Sequence, residues 1–139
     1  MTKVSSSSII RVTLSGSFRR DTEGLERVYR ELALNQCQIL SPRTLDFSDT
    51  SVLFVRNQVE GRDEVKTIQD HHLQAIALSH FLWVHISKGY VGTSTAMEIG
   101  FAYANNIPIY ATEAPIDEML KQYVQVVGSV FRAIEHLPS

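Results

Sequence analysis

The segment Phe81–Ile86, which reads FLWVHI, is the feature that most limits the folds open to this chain. It is almost continuously apolar rather than alternating, which is typical of a parallel strand that is buried on both faces. Parallel strands need long crossover connections, and these connections are usually helices. The segment therefore predicts an α/β fold in which helices cover both faces of a central sheet.

Strand-like and helix-like patterns alternate along the chain in the way that such a fold requires. The strand patterns lie at Ile9–Leu14, Cys37–Leu40, Phe81–Ile86 and Ile107–Ala111, with a candidate edge strand at Val130–Ile134. The helical patterns lie at Asp21–Asn35, Asp63–Leu78, Thr95–Asn106 and Ile116–Val127. Right-handed βαβ units of this kind predict a flavodoxin- or Rossmann-like, doubly wound, mostly parallel sheet of about five strands with helices on both faces.

The length of 139 residues, 44% of them hydrophobic, is enough for one domain with a sizeable core and too little for two. We expect a flexible N-terminus at residues 1–8 and a single domain at residues 9–139. Residues 43–62 follow no clear pattern. A loop of that length inside a small domain is more often a binding lid than a linker.

Composition excludes several classes of function. The formal net charge of −2 gives no reason to expect a nucleic-acid polymer or an anionic membrane as partner. The single cysteine, Cys37, excludes an internal disulfide framework and a cysteine-based zinc cluster. The histidines do not form a His-Glu-x-x-His motif, so we expect no metal and no cofactor. With no signal peptide or membrane span in the sequence, we expect a cytoplasmic protein.

Ligands of doubly wound sheets bind at the carboxyl ends of the strands. The first such end carries Ser15, Gly16, Ser17, Phe18 and Arg19, whose backbone amides and guanidinium could surround a phosphate. The second end carries Arg43, and the loop after the central strand carries Gly92, Thr93 and Ser94. Ser-Gly-Ser is also an ordinary turn, and arginines are usually solvated, so the first segment alone is weak evidence.

Two titratable residues stand out near this edge. Glu98 is expected in the first turn of the helix after the Gly92–Ser94 loop, where the helix N-terminus keeps a carboxylate ionised. The alternative is that Glu98 closes a capping box with Thr95, and the motif alone favours that alternative. His72 lies on the helix that leads into the central strand, and its side chain could face the cleft.

The segment Gly89–Ala104, which reads GYVGTSTAMEIGFAYA, resembles the core motif of the nucleoside 2-deoxyribosyltransferase superfamily. In that motif a loop of small residues precedes a Glu-(aliphatic)-Gly-(aromatic or Arg)-Ala helix and a short strand. Leu14–Arg19, with the helix and the Ile39–Ser41 strand after it, resembles the branch of 2'-deoxynucleoside 5'-phosphate N-hydrolases and pyrimidine-nucleotide N-glycosidases. The resemblance spans most of residues 9–125.

The resemblance implies that Glu98 attacks the anomeric carbon of a sugar and forms a glycosyl-enzyme ester, which water or an acceptor base then resolves with retention. It also implies a site for a 5'-phosphate or ribose at Gly16, Ser17 and Arg19, with hydroxyls added from Thr93 and Ser94. Members of that family usually carry an aspartate that acts on the leaving base. By its spacing in the sequence, the matching position in this chain is His72, and Asp70 is half a turn away.

The resemblance further implies a homodimer in which a segment near Met119–Lys121 reaches the neighbour's site. The function expected from these residues is an N-glycosidase or deoxyribosyltransferase acting on a nucleoside or nucleoside 5'-monophosphate. Because position 72 departs from the family, a non-catalytic nucleotide-binding or sensing domain on the same fold is the alternative. A phosphoribohydrolase is the third reading, although Glu98 follows Thr93 at a longer spacing than that group's Gly-Gly-x-Gly-Thr pattern has.

Overall fold

The computed structural model of the chain describes residues 9–45 and 64–138. The expected flexible N-terminus and all but the first three residues of the expected lid lie outside the described residues. No helix in the described part is long and apolar enough to cross a membrane.

Within residues 9–45 and 64–138, five strands form one parallel sheet. The strands are β1 (Ile10–Gly16), β2 (Cys37–Ser41), β3 (Phe81–His85), β4 (Ile109–Ala111) and β5 (Gln125–Val126). The α-helices in this part of the chain are α1 (Thr22–Leu34), α2 (Val65–Ala77), α3 (Thr93–Ala104) and α4 (Val130–His136), and a 3-10 turn spans Leu120–Gln122. The strand order is β2-β1-β3-β4-β5, and every neighbouring pair is parallel. The doubly wound α/β fold predicted from the sequence is therefore confirmed, in its flavodoxin-like order.

The apolar run of β3 is buried on both faces because its alternate residues enter two separate cores. Phe81 and Trp83 pack into a core with residues of α1 and α4, whereas Leu82 and Val84 pack into a core with residues of α2 and α3. Cys37 is buried in the first core, and burial raises the pKa of its thiol to about 11. The thiol is thus a small core group.

The sequence predictions for residues 116–134 are wrong. The expected helix at Ile116–Val127 is only the 3-10 turn followed by β5, and the expected edge strand at Val130–Ile134 is α4. The Ser129 side chain caps α4 by accepting a hydrogen bond from the Arg132 N–H. The Glu31 carboxylate of α1 accepts a second one from the Val130 N–H. These two acceptors satisfy N–H groups that a helix start leaves free, so the segment is stable as a helix.

Candidate functional site

A cleft of about 390 Å³ opens at the carboxyl edge of the sheet, between the ends of β1 and β2 and the start of α3. The chain continues from β1 toward one side of the sheet and from β3 toward the other. The gap between the carboxyl ends of these two strands is where ligands of such folds bind. The lining residues are Gly16, Ser17, Phe18, Arg19, Ser41, Pro42, Ile68, Gln69, His72, Tyr90, Gly92, Thr93, Ser94, Thr95 and Glu98. The structure therefore brings most of the sequence-predicted site residues into one cleft.

Gly16 ends β1 and starts the first wall of the cleft. Its φ is +150°, and a Cβ at this position would lie 2.6 Å from the backbone oxygen of His85. Only glycine fits such a backbone against a neighbouring strand. The absence of a side chain at residue 16 lets the chain leave the sheet at once, and it places Ser17, Phe18 and Arg19 along the cleft.

Asp21 fixes the other end of this loop. Its carboxylate accepts a hydrogen bond from the Gly24 N–H and so caps α1. The second carboxylate oxygen lies 3.0 Å from Nε2 of His85, at the end of β3. The hydrogen bond from Gly24 is the main reason that the pKa of Asp21 lies below its usual value, although burial opposes it. His85 therefore has a structural role in holding this loop.

The N-terminus of α3 forms the opposite wall. Gly92 is its N-cap residue, and no side chain among the described residues caps the helix there. The first N–H groups of a helix have no partner within the helix, and the helix dipole makes this end favourable for anions. The predicted capping box of Thr95 and Glu98 does not form, because the helix begins at Thr93 and Glu98 lies in its second turn.

Glu98 lies on the floor of the cleft and is only 5% exposed. One carboxylate oxygen accepts a hydrogen bond of 2.7 Å from Nε2 of Gln69. The other oxygen lies 3.5 Å from Nε2 of His72. α2 therefore supplies both of these partners, which lie one turn apart and hold the carboxylate from one side.

Burial acts to raise the pKa of Glu98, because it penalises the charged form. The charge of His72 and hydrogen bonds from His72, Gln69 and Ser15 act in the other direction and outweigh the burial. The pKa of Glu98 is therefore below its usual value. A carboxylate that is buried, ionised and open to a cleft has the chemistry of a nucleophile toward an electrophilic carbon.

His72 is buried and is held at both ring nitrogens. Its Nδ1 lies 2.6 Å from Oγ of Ser41, at the end of β2. Its Nε2 lies 3.2 Å from Oγ of Ser15 and faces Glu98. The expected orientation of His72 toward the cleft is thus observed, with polar partners on both sides of the ring.

Three predicted site residues lie outside the lining of the cleft. Asp70 is on the outer side of α2, with its carboxylate half-exposed and 2.6 Å from Nζ of Lys66. Arg43 is exposed and lies with Tyr29 and Arg30 in a separate, shallow depression. Ser15 is completely buried beneath the cleft floor, where its hydroxyl contacts His72. The structure therefore gives Asp70 and Arg43 no direct contact with a molecule in this cleft.

Sequence reasoning did not select four polar or aromatic residues that line the cleft: Ser41, Gln69, Tyr90 and Thr95. Gln69 is one turn before His72 on the same helix, and that spacing was the available signal. Ser41 ends a parallel strand, which was the signal for its position but not for its contact with His72. Tyr90 lines the cleft, and the guanidinium carbon of Arg20 lies 3.6 Å from the centre of its ring. This cation–π contact joins the two loops at the mouth of the cleft.

The described residues hold no group of three or more histidine, cysteine, aspartate or glutamate side chains able to bind a metal ion.

No protein-family model and no curated protein matches the chain. Among solved structures, the chain is similar to a 2-deoxyribosyltransferase from Bacillus psychrosaccharolyticus, with a TM-score of 0.57, 20% sequence identity and 92% of each chain covered. It is also similar to a conserved protein from Enterococcus faecalis, with a TM-score of 0.53, 16% identity and coverage of 92% of this chain and 96% of that one. The chain therefore shares its fold with a 2-deoxyribosyltransferase.

Proposed function

We propose that the chain cleaves the N-glycosidic bond of a nucleoside or nucleoside 5'-monophosphate, with Glu98 as nucleophile. The observation that carries this proposal is the Glu98 carboxylate itself, which is buried on the cleft floor, oriented by Gln69 and kept ionised beside His72. A solvated glutamate on a helix surface would have none of these partners. The fold shared with a 2-deoxyribosyltransferase is consistent with the same chemistry.

In this mechanism the Glu98 carboxylate attacks the anomeric carbon and the bond to the base nitrogen breaks, which leaves a glycosyl ester on the enzyme. Water then cleaves the ester in a hydrolase, and a second base cleaves it in a transferase. Two displacements at one carbon retain its configuration. The lowered pKa of Glu98 supports the first step, because the attacking group must be a carboxylate.

A 5'-phosphate fits the part of the cleft between the two loops. Ser17 and Arg19 lie on one wall, and the uncapped start of α3 with Thr93 and Ser94 lies on the other. Hydroxyls, a guanidinium and helix N–H groups are the usual donors to phosphate. Glu98 is the acidic residue in the lining, and it lies on the floor of the cleft, away from the donors on the walls. A phosphate between the walls would therefore meet donors there, which favours a nucleotide over a free nucleoside as the ligand.

The second candidate function is a nucleotide-binding domain without catalysis, and the observation that favours it concerns His72. The imidazole lies where the family that the sequence resembles carries a carboxylate, and both its nitrogens already have hydroxyl partners. Such a ring could serve only to fix the cleft floor. The two candidates differ in one measurable property, the release of free base.

The test is a base-release assay by chromatography on ribo- and deoxyribonucleosides and their 5'-monophosphates, with thermal-shift binding on the same panel. The proposed function predicts free base from at least one nucleotide. A thermal shift with no base released from any compound would contradict it and support the binding domain.

We also propose that the chain is cytoplasmic and that it works as a homodimer, the second of which the sequence resemblance implies. Met119, in the segment expected to reach a neighbouring site, is exposed and available to a second copy. Sedimentation at several protein concentrations measures the oligomeric state.

A further inference from the structure

Three side chains form a continuous polar chain across the floor of the cleft. The Ser41 hydroxyl lines the cleft and lies 2.6 Å from Nδ1 of His72, and Nε2 of the same ring lies 3.5 Å from the Glu98 carboxylate. Ser41 and Glu98 are therefore at opposite ends of one imidazole. All three residues line the cleft, and both Glu98 and the imidazole ring are buried in its floor, at 5% and 9% exposed.

The partners of the ring determine where its protons lie. Nε2 faces a carboxylate, so it carries a hydrogen in both the neutral and the charged ring. In the neutral ring Nδ1 is then an acceptor, and the Ser41 O–H must point at it. In the charged ring Nδ1 donates to Ser41 Oγ, and the Ser41 O–H is free to donate into the cleft.

We propose that Ser41 is the catalytic acid that protonates the departing base, with His72 as the source of the proton. This inference rests on the proposed N-glycosidase function. As Glu98 bonds to the anomeric carbon, the bond from that carbon to the base nitrogen breaks and its electron pair goes to the base. The base takes the Ser41 hydroxyl proton, and Ser41 takes the Nδ1 proton of His72.

The charges balance in this step. Before it, the Glu98 carboxylate and the His72 imidazolium form a neutral pair; after it, a neutral ester faces a neutral imidazole. No net charge is therefore created on the cleft floor, where burial makes an unpaired charge costly. In the second step water attacks the anomeric carbon, and its proton returns through Ser41 to Nδ1 of His72. The carboxylate and the imidazolium are thereby restored together.

The groups that surround His72 are consistent with this role. Glu98 of α3 is the charged residue against the ring among the described elements, whereas β1 and β2 present the neutral hydroxyls of Ser15 and Ser41. Asp70 and Lys66, on the same helix as His72, pair with each other on its outer side. Ser41 differs from Ser15 in one decisive respect: Ser41 lines the cleft, whereas Ser15 is completely buried.

The test compares two leaving groups on the same sugar phosphate in wild type and Ser41→Ala. One substrate is the 5'-monophosphate that wild type cleaves fastest, and the other carries 4-nitrophenolate in place of the base. Nitrophenolate leaves as a stable anion and needs no proton. We expect Ser41→Ala to lower kcat on the nucleotide by about 10²- to 10⁴-fold, the usual contribution of a general acid, and to affect the nitrophenyl substrate far less.

Two further variants separate catalysis from structure. Ser41→Thr keeps a hydroxyl and should restore most of the nucleotide activity, whereas Ser15→Ala removes the other hydroxyl on the ring and should lower both activities by the same factor. Equal losses on both substrates in Ser41→Ala would overturn the acid role and leave the proposed function standing. A wild type that cleaves no nucleotide would overturn both.

Discussion

Replacing Gly16 with alanine tests the geometry that opens the cleft. The residue has a φ of +150°, and the added Cβ would lie 2.6 Å from the His85 backbone oxygen and 3.1 Å from the His85 Cβ. A non-glycine residue in such a conformation costs about 1–3 kcal/mol. Overlap with a backbone atom that cannot rotate away adds about 1–3 kcal/mol. The free energy of unfolding should therefore fall by about 2–6 kcal/mol, which at about 4 °C per kcal/mol lowers the Tm by roughly 8–24 °C.

Gly100→Ala is the matched control. Gly100 lies in the middle of α3, and a Cβ there would meet no described atom within 4 Å. Alanine in a helix is more favourable than glycine by about 1 kcal/mol, so this variant should be at least as stable as wild type. Urea unfolding followed by circular dichroism measures both changes. A Gly16→Ala variant as stable as wild type would refute the close approach of residue 16 to β3.

Two further predictions concern charge in the cleft. Arg19→Ala should raise KM for a nucleoside 5'-monophosphate far more than KM for the matching nucleoside, because the guanidinium is expected to contact only the phosphate. Steady-state kinetics on the two substrates measures both changes. Equal increases in the two KM values would contradict a phosphate-binding role for Arg19. The lowered pKa of Glu98 predicts that its contribution to stability is complete above the unfolded-state pKa of roughly 4.3 and is lost as the pH falls through the folded-state pKa. Urea unfolding between neutral and acidic pH should therefore show a smaller loss of stability in Glu98→Gln than in wild type, and identical curves would contradict the shift.

The sheet and the position of the cleft could be predicted from the sequence because β3 is so strongly apolar. A buried parallel strand requires helices on both faces, and the strand ends then determine which residues meet. Gly16, Arg19, Thr93 and Glu98 were placed at one edge by this reasoning alone, and the structure brings them together.

The C-terminal elements could not be predicted in the same way. Val124 and Val127 are three residues apart, which suggests a helix, yet they flank β5 and are buried there without one. The seven residues of α4 are stabilised by the Glu31 carboxylate from a distant helix. Contacts made only after folding therefore decide the structure of such short segments.

The partners of Glu98 show the same limit at the level of side chains. The helix pattern placed His72 toward the interior, but it could not show that Ser41 and Glu98 lie at opposite ends of the ring. The interpretation of Glu98 as a helix cap failed for a related reason. The helix starts at Thr93 and not at Thr95, so Glu98 lies in the second turn, where it cannot cap the helix.

The most direct test of Glu98 as nucleophile is to detect the covalent intermediate. A nucleotide with fluorine at the 2-position of its sugar destabilises the positive charge that develops at the anomeric carbon, so the ester persists long enough to weigh. After incubation, intact-mass spectrometry should show wild type heavier by one fluorinated sugar phosphate, with the added mass on the peptide that contains Glu98. Glu98→Gln, which keeps the size of the side chain, should show no adduct and no base release. An adduct on another residue, or base release retained in Glu98→Gln, would contradict the account.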